Sequence, residues 1–317
     1  MSLGRRWYHR FGVPYILDFQ DPWVSEYYCG PSAPKPPGGR FKYGLTQGIA
    51  KILEPYALTD VKHIISVSPV YVRTLIGRYP WLREDQFSVL PFGAPEKDFD
   101  YLQSLGQKQR VFDPSDGNYH WVYLGRGGGD MALALRILFL AIRNSRKQEP
   151  MKWKQIKLHF VGTDYAPGEQ KTKTVEPIAE ELGIGDLVDE RPERIPYFES
   201  LQTLIDSDAI LLTGSDDPGY TASKLYPCVL SRKAILAVFH EQSSVVQTLR
   251  RCNAGRAVTF KSNEEPTNLV KEMSSQLDWL LSRPKGYQPE TNWSEFKPFT
   301  AFEMTRRQCS IFDRCLS

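Results

Sequence analysis

Residues 119–130, Tyr119-His120-Trp121-Val122-Tyr123-Leu124-Gly125-Arg126-Gly127-Gly128-Gly129-Asp130, decide the fold. An apolar run without polar alternation reads as a strand buried on both faces. It breaks on glycines, and the apolar-periodic stretch 131–144 that follows reads as a helix. The same alternation repeats downstream. Strands are expected at 156–161, 186–188, 209–212, 234–238 and 256–260, with helices at 175–182, 197–205, 222–230, 244–251 and 264–281. Strict alternation with short loops predicts an α/β fold, a doubly wound parallel sheet with helices on both faces.

Upstream, a buried strand is expected at 13–18, then a Gly/Pro-rich surface loop from Cys29 to Arg40 and a helix over 43–58. A strand at 63–67 leads to a helix opened by Ser68-Pro69, and the strand 87–90 stops at Pro91-Phe92-Gly93-Ala94-Pro95. Residues 96–118 are polar, lack periodicity and read as a linker. No helix or strand pattern precedes the first strand, so the chain is expected to begin partway into its first domain. Phe299, Phe302, Cys309, Phe312 and Leu316 form an apolar stripe with no strand after it, which predicts a terminal helix packed on that first domain. The expected division is a partial first domain over 1–97, a linker over 98–118, a second domain over 119–295 and the returning helix over 296–317.

Composition narrows the functional classes. The 317 residues suffice for about two domains at ~150 residues each. With 41% hydrophobic and 24% charged residues, the chain builds cores without disulfide or metal staples. Forty Lys+Arg against 37 Asp+Glu give a formal charge of +3, too even a balance for a nucleic-acid partner. No apolar run reaches the ~18 residues of a membrane span, so a cytoplasmic protein is expected, with at most peripheral contact with an anionic membrane face. The five cysteines form no CxxC pair and the five histidines show no metal-ligand spacing, so no metal site is expected. His63, His120 and His159 read as hydrogen-bonded core residues.

In a doubly wound sheet, ligands bind beyond the carboxyl ends of the strands. After the strand at 120–124, Gly125 and the three consecutive glycines Gly127, Gly128 and Gly129 let amides approach a ligand, a glycine-rich turn without a ligand being the alternative. Arg126 offers a fork for a phosphate, and the following helix adds partial positive charge. The loop is neither GxGxxG nor a Walker P-loop. After the strand at 209–212, Thr221 or Ser223 is placed to cap a helix, Lys224 to supply countercharge, and Asp216 or Asp217 to bind sugar hydroxyls. A capped helix with a solvated charge pair is the bland alternative. Arg194 and Ile195, between two prolines, are placed to hold a base by edge hydrogen bonds and stacking; an ordinary connection between strand and helix fits equally well. In Asp18-Phe19-Gln20-Asp21-Pro22-Trp23, two carboxylates at a strand end suit a general base or an anchor for an acceptor hydroxyl; a simple turn fits equally well.

Together these landmarks resemble the nucleotide-sugar glycosyltransferases of the GT-B fold, family-4 (group 1) type. Val13 to Trp23, VPYILDFQDPW, is similar to that family's "PxxxDxRDPW" passage. His63 to Ser68 with Leu90-Pro91-Phe92-Gly93 resembles its "vtvS…vipnG" approach to the linker, and Val122 to Arg126 its "yvGR" loop. Ser223-Lys224-Leu225-Tyr226 with Ser231 to Val238 is similar to "SKLfeYlaaGrPilav". The family's paired acidic positions fall at Gly219 and Pro227, and Gln20 stands where many members carry His.

The resemblance implies two Rossmann-like domains, the first incomplete here. It also implies a metal-independent, retaining transfer of sugar in glycan or surface-polysaccharide synthesis. The donor would be a UDP- or GDP-linked sugar, a co-substrate rather than a cofactor, and the acceptor a saccharide or lipid-linked saccharide. Gly125, Arg126, Gly127, Gly128, Ser223 and Lys224 would bind the donor phosphates, Arg194 and Ile195 the nucleotide, and Asp21 and Asp217 would act in catalysis. The alternative, favoured by Pro227 and Gly219, is a non-catalytic or weakly active sugar-nucleotide-binding module of the same fold.

Overall fold

The computed structural model describes residues 2–29, 36, 38–166 and 171–316. The chain packs as two units: residues up to Gly93 together with those from Ala301 on, and residues from Ala94 to Thr300.

The first unit opens with α1 (Ser2–Phe11), β1 (Ile16–Phe19), α2 (Arg40–Leu58), β2 (His63–Ser66), α3 (Pro69–Arg78) and β3 (Phe87–Val89). Its parallel sheet runs β1-β2-β3 over a core of Leu17, Phe19, Leu58, Ile64 and Leu75. Ser68 caps α3 by accepting the Val70 N–H, with Pro69 in the first turn. Of the expected loop between Cys29 and Arg40, residues 30–35 and 37 lie outside the described residues. Helix α1, which the sequence reading did not expect, buries none of its residues, and its apolar stripe, Leu3, Trp7 and Phe11, is exposed.

The second unit contains α4 (Glu96–Leu105), β4 (Tyr119–Leu124), α5 (Ala132–Gln148), α6 (Pro150–Trp153), β5 (Ile156–Val161), α7 (Glu176–Glu181), β6 (Val188–Arg191) and α8 (Tyr197–Asp206). It continues through β7 (Ala209–Thr213), α9 (Leu225–Leu230), β8 (Ala234–His240), α10 (Ser244–Arg251), β9 (Arg256–Phe260), α11 (Val270–Leu281) and α12 (Trp293–Phe296). All pairings are parallel in the order β6-β5-β4-β7-β8-β9. Counted from β4 this is the dinucleotide-fold order 3-2-1-4-5-6, and its switch point lies between β4 and β7. Every residue of β7 and β8 is buried, as their unbroken apolar runs require.

Three local expectations change. The polar stretch after Pro95 contains helix α4, whose one buried residue, Leu102, is too little to give a visible period. Helix α9 starts at Leu225, after an N-cap at Lys224 with no side-chain cap bond, so neither Thr221 nor Ser223 caps it. The closing helix, α13 (Ala301–Leu316), belongs to the first unit but buries Met304 and Ile311. Phe302 and Leu316 of the expected stripe are 71% and 77% exposed.

The core histidines are hydrogen-bonded. His63 Nε2 lies 2.9 Å from Ser88 Oγ, and His120 Nδ1 lies 3.0 Å from His159 Nε2. Among the described residues, no helix is long and apolar enough to cross a membrane.

Candidate functional site

The loops that follow β4 and β7 flank the switch point, and backbone constraints shape them first. Gly125 has φ +148° and donates its N–H to Val161 O at 3.0 Å. A Cβ there would lie 2.9 Å from Lys224 Nζ, so the missing side chain leaves room for the lysine. Gly127 donates its N–H to Thr163 O at 2.6 Å, and a Cβ on it would lie 2.3 Å from Thr174 Oγ1. Two of the amides expected to approach a ligand are thus spent on neighbouring backbone, and Gly127 is needed for packing.

Arg126 turns back on its own loop. Its Nη1 and Nη2 donate to the Asp130 carboxylate at 2.9 and 2.7 Å, and its Cζ lies 5.0 Å from the centre of the Tyr220 ring. Asp130 also ties the two loops together: its carbonyl accepts the Asp216 N–H at 2.9 Å, and its carboxylate hydrogen-bonds Ser215. The Asp130 carboxyl is held below its usual range. Burial opposes this, but the Arg126 hydrogen bonds and charge prevail.

Lys224 donates to the buried Tyr123 hydroxyl, and its ammonium lies 4.0 Å from that ring's centre. Burial, with the charge of Arg126 second, lowers its pKa to about 7. Tyr123 donates its own hydrogen bond to the backbone carbonyl of Arg126 at 2.6 Å, so one phenol joins Lys224 to the loop that carries Arg126.

A cavity of about 360 Å³ lies beside this crevice, lined by Gly125, Gly162, Arg194, Ile195, Lys224 and Pro227 among others. The structure therefore gathers Gly125, Lys224, Arg194 and Ile195, residues from three separate loops, around one space. Arg126, Gly127, Gly128 and Ser223 do not line it, and Ser223 is exposed. Arg194 stacks its guanidinium 3.8 Å from the centre of the Tyr165 ring. Asp217 shapes the turn after β7, its carboxylate accepting the Gly219 N–H at 2.8 Å. Asp21 lies in the first unit, exposed in the bend after β1. That unit has its own cavity of about 270 Å³, lined by Asp18, Gln20, Phe92 and Met304 among others, but not by Asp21.

Sequence reading missed Tyr123, Tyr220 and the pairing role of Asp130. The signal for Asp130 was present, since an acid four residues after Arg126, at the entry to a helix, is within ion-pair reach.

The sequence matches no family model and no curated protein. Solved structures do share the architecture. A glycosyltransferase from Rickettsia africae superposes with a TM-score of 0.57 at 15% identity, over 81% of this chain and 64% of that one. A UDP-forming α,α-trehalose-phosphate synthase from Burkholderia xenovorans gives 0.66 at 12% identity, over 98% and 70%. Anabaena HepE, solved with UDP-glucose, gives 0.62 at 14% identity, over 98% and 75%. The chain has the GT-B fold.

Proposed function

We propose that this chain transfers a sugar from a nucleotide-diphosphate sugar to an acceptor. The observation that carries the reading is the single cavity at the carboxyl ends of β4 and β5, where Gly125 and Lys224 meet Arg194 and Ile195. In this reading the base lies by Arg194 and Ile195, and the diphosphate by Lys224 and Arg126. As the bond between sugar and phosphate breaks, negative charge collects on the departing phosphate oxygen. Lys224 and Arg126 stabilise that charge more than they stabilise the bound donor, which is what lowers the barrier. Ser223 and the Gly128–Gly129 amides are secondary phosphate contacts of the same reading. Asp217 holds sugar hydroxyls, and Asp21 is the acceptor-side carboxylate. No cofactor or metal is invoked.

The capture of UDP-glucose by Anabaena HepE favours a uridine donor over a guanosine one. The acceptor is a saccharide, free or lipid-linked. The exposed surface of α1 and α2 supports contact with a membrane. Leu3, Trp7 and Phe11 on α1, and Phe41, Leu45 and Ile52 on α2, are exposed among Arg6, Arg10, Lys42 and Lys51.

Calorimetric titration with UDP, GDP and UDP-glucose tests donor binding, and nucleotide release across a panel of sugar nucleotides tests transfer. Uridine nucleotides are expected to bind and UDP to be released in the presence of acceptor. Failure to bind any of them ends the proposal, and binding without release leaves the non-catalytic module.

A further inference from the structure

Arg126, the residue best suited to grip a diphosphate, already grips an anion. Both ends of its fork go to Asp130, and Nη1 also donates to Gly127 O at 3.2 Å. The pair is largely shielded, with 28% of the Arg126 side chain and 16% of the Asp130 side chain exposed. Gly128, at φ +139°, passes beneath the bridge: a Cβ on it would lie 2.7 Å from Asp130 Oδ1 and 3.2 Å from Arg126 Nη1. The glycine run is thus folded around an internal ion pair.

A carboxylate and a phosphate present the same two-oxygen face to a guanidinium. The two Nη groups therefore cannot pair with Asp130 and with a donor phosphate in the same way at once. Asp130 has other partners to keep it in place if it lets go, namely the Ser215 hydroxyl on its carboxylate and the Asp216 N–H on its carbonyl.

We infer that Asp130 is a built-in competing anion: it occupies Arg126 in the empty site, and the donor diphosphate must displace it. This rests on the sugar-nucleotide reading above and adds to it a residue that sets donor affinity. A diphosphate offers two anionic groups, one to take the place of Asp130 on Arg126 and one to reach Lys224, whereas a sugar phosphate offers a single group, so the exchange selects for the diphosphate.

Titrating inorganic pyrophosphate and UDP into Asp130→Asn tests this, because the amide keeps the shape and the Ser215 bond but loses the charge. The variant is expected to bind both about tenfold more tightly than the unmodified chain, the scale of one charge-assisted fork in a half-shielded site. Arg126→Ala is expected to weaken both, and the double variant to match Arg126→Ala, since without the fork there is nothing to compete for. Ser215→Ala, which takes a partner from the displaced Asp130 carboxylate without touching either charge, is expected to weaken binding by about twofold. A merely structural Asp130 would weaken binding when replaced. Unchanged or weaker binding by a folded Asp130→Asn therefore overturns the inference while leaving the donor reading intact. Absence of binding by the unmodified chain and by every variant overturns both.

Discussion

Glu54 in the first unit and Glu190 in the second are 1% and 2% exposed, and each anchors a loop beyond a strand end. Glu54 reaches its loop through side chains. It accepts from Arg78 at 2.7 Å and the Tyr79 hydroxyl at 2.9 Å, and it touches the segment after β1 only at the Val24 N–H, 3.1 Å away. Glu190 is satisfied almost entirely by backbone. It takes the amides of Thr174, Val175 and Glu176 at 2.8 to 3.0 Å and the Thr163 hydroxyl at 2.6 Å. Thr163 and Thr174 are in turn the residues that wall Gly127. The second unit thus frames its glycine loop through main-chain bonds gathered on one carboxylate, while the segment after β1 is held by several side chains: Glu54 on the Val24 N–H, Arg78 on the Val24 carbonyl, and Gln47 on the Trp23 carbonyl and the Ser25 N–H. An anion site needs donors that do not reorganise, and backbone amides tied to one buried carboxylate form such a frame.

The comparison breaks if Glu54 proves the costlier residue to lose. Glu190→Ala is expected to destabilise the second unit by about 4 kcal/mol, because three shielded amides and a hydroxyl lose their acceptor together. Glu54→Ala is expected to cost about 2–3 kcal/mol, less than a fully buried pair would, because Arg78 is 23% exposed and regains water. Urea titrations of both variants give the order directly.

Glycines sharpen the same contrast. Gly127→Ala drives a methyl into Thr174 and is expected to cost about 1–3 kcal/mol. Gly44, in the second turn of α2, has open space where a Cβ would go, and Gly44→Ala is expected to raise stability by about 0.5–1 kcal/mol. Melting temperatures that move the same way for both variants contradict the packing described here.

A last expectation concerns pH dependence. Lys224 titrates near 7 in the folded chain and near its usual 10.5 when unfolded. Between those values the unfolded chain binds the extra proton, so this residue makes stability rise with pH through that window. Binding of UDP-glucose runs the other way. A diphosphate favours the charged lysine, so affinity is expected to fall several-fold between about pH 6 and pH 8, with proton uptake on binding. Lys224→Met is expected to flatten that profile, and calorimetry in buffers of different ionisation enthalpy measures the uptake.

Much of the fold was legible because apolar periodicity is local. The strands of the second sheet announce themselves in runs such as Ala209 to Leu212, and the loops after β4 and β7 follow wherever those strands end. The cavity lining was partly legible for the same reason. Gly125, Lys224, Arg194 and Ile195 all follow strands that the parallel order brings side by side. Helix α1 was legible in the i, i+4, i+8 spacing of Leu3, Trp7 and Phe11 but was overlooked at the chain start, and the buried face of α13 was misplaced because Met304 and Ile311 were outbid on paper by more conspicuous phenylalanines.

The sequence by itself determined the alternation of strands and helices, the parallel sheet, and which loops lie at its carboxyl edge. Those features follow from the spacing of apolar residues along a short stretch of chain. Only the tertiary structure decided that Arg126 is spent on Asp130, that Lys224 rests on Tyr123, and that Glu190 frames the glycine loop from beneath. Pairings of this kind depend on which side chains the folded backbone brings within about 3 Å, a distance that periodicity along the chain does not encode.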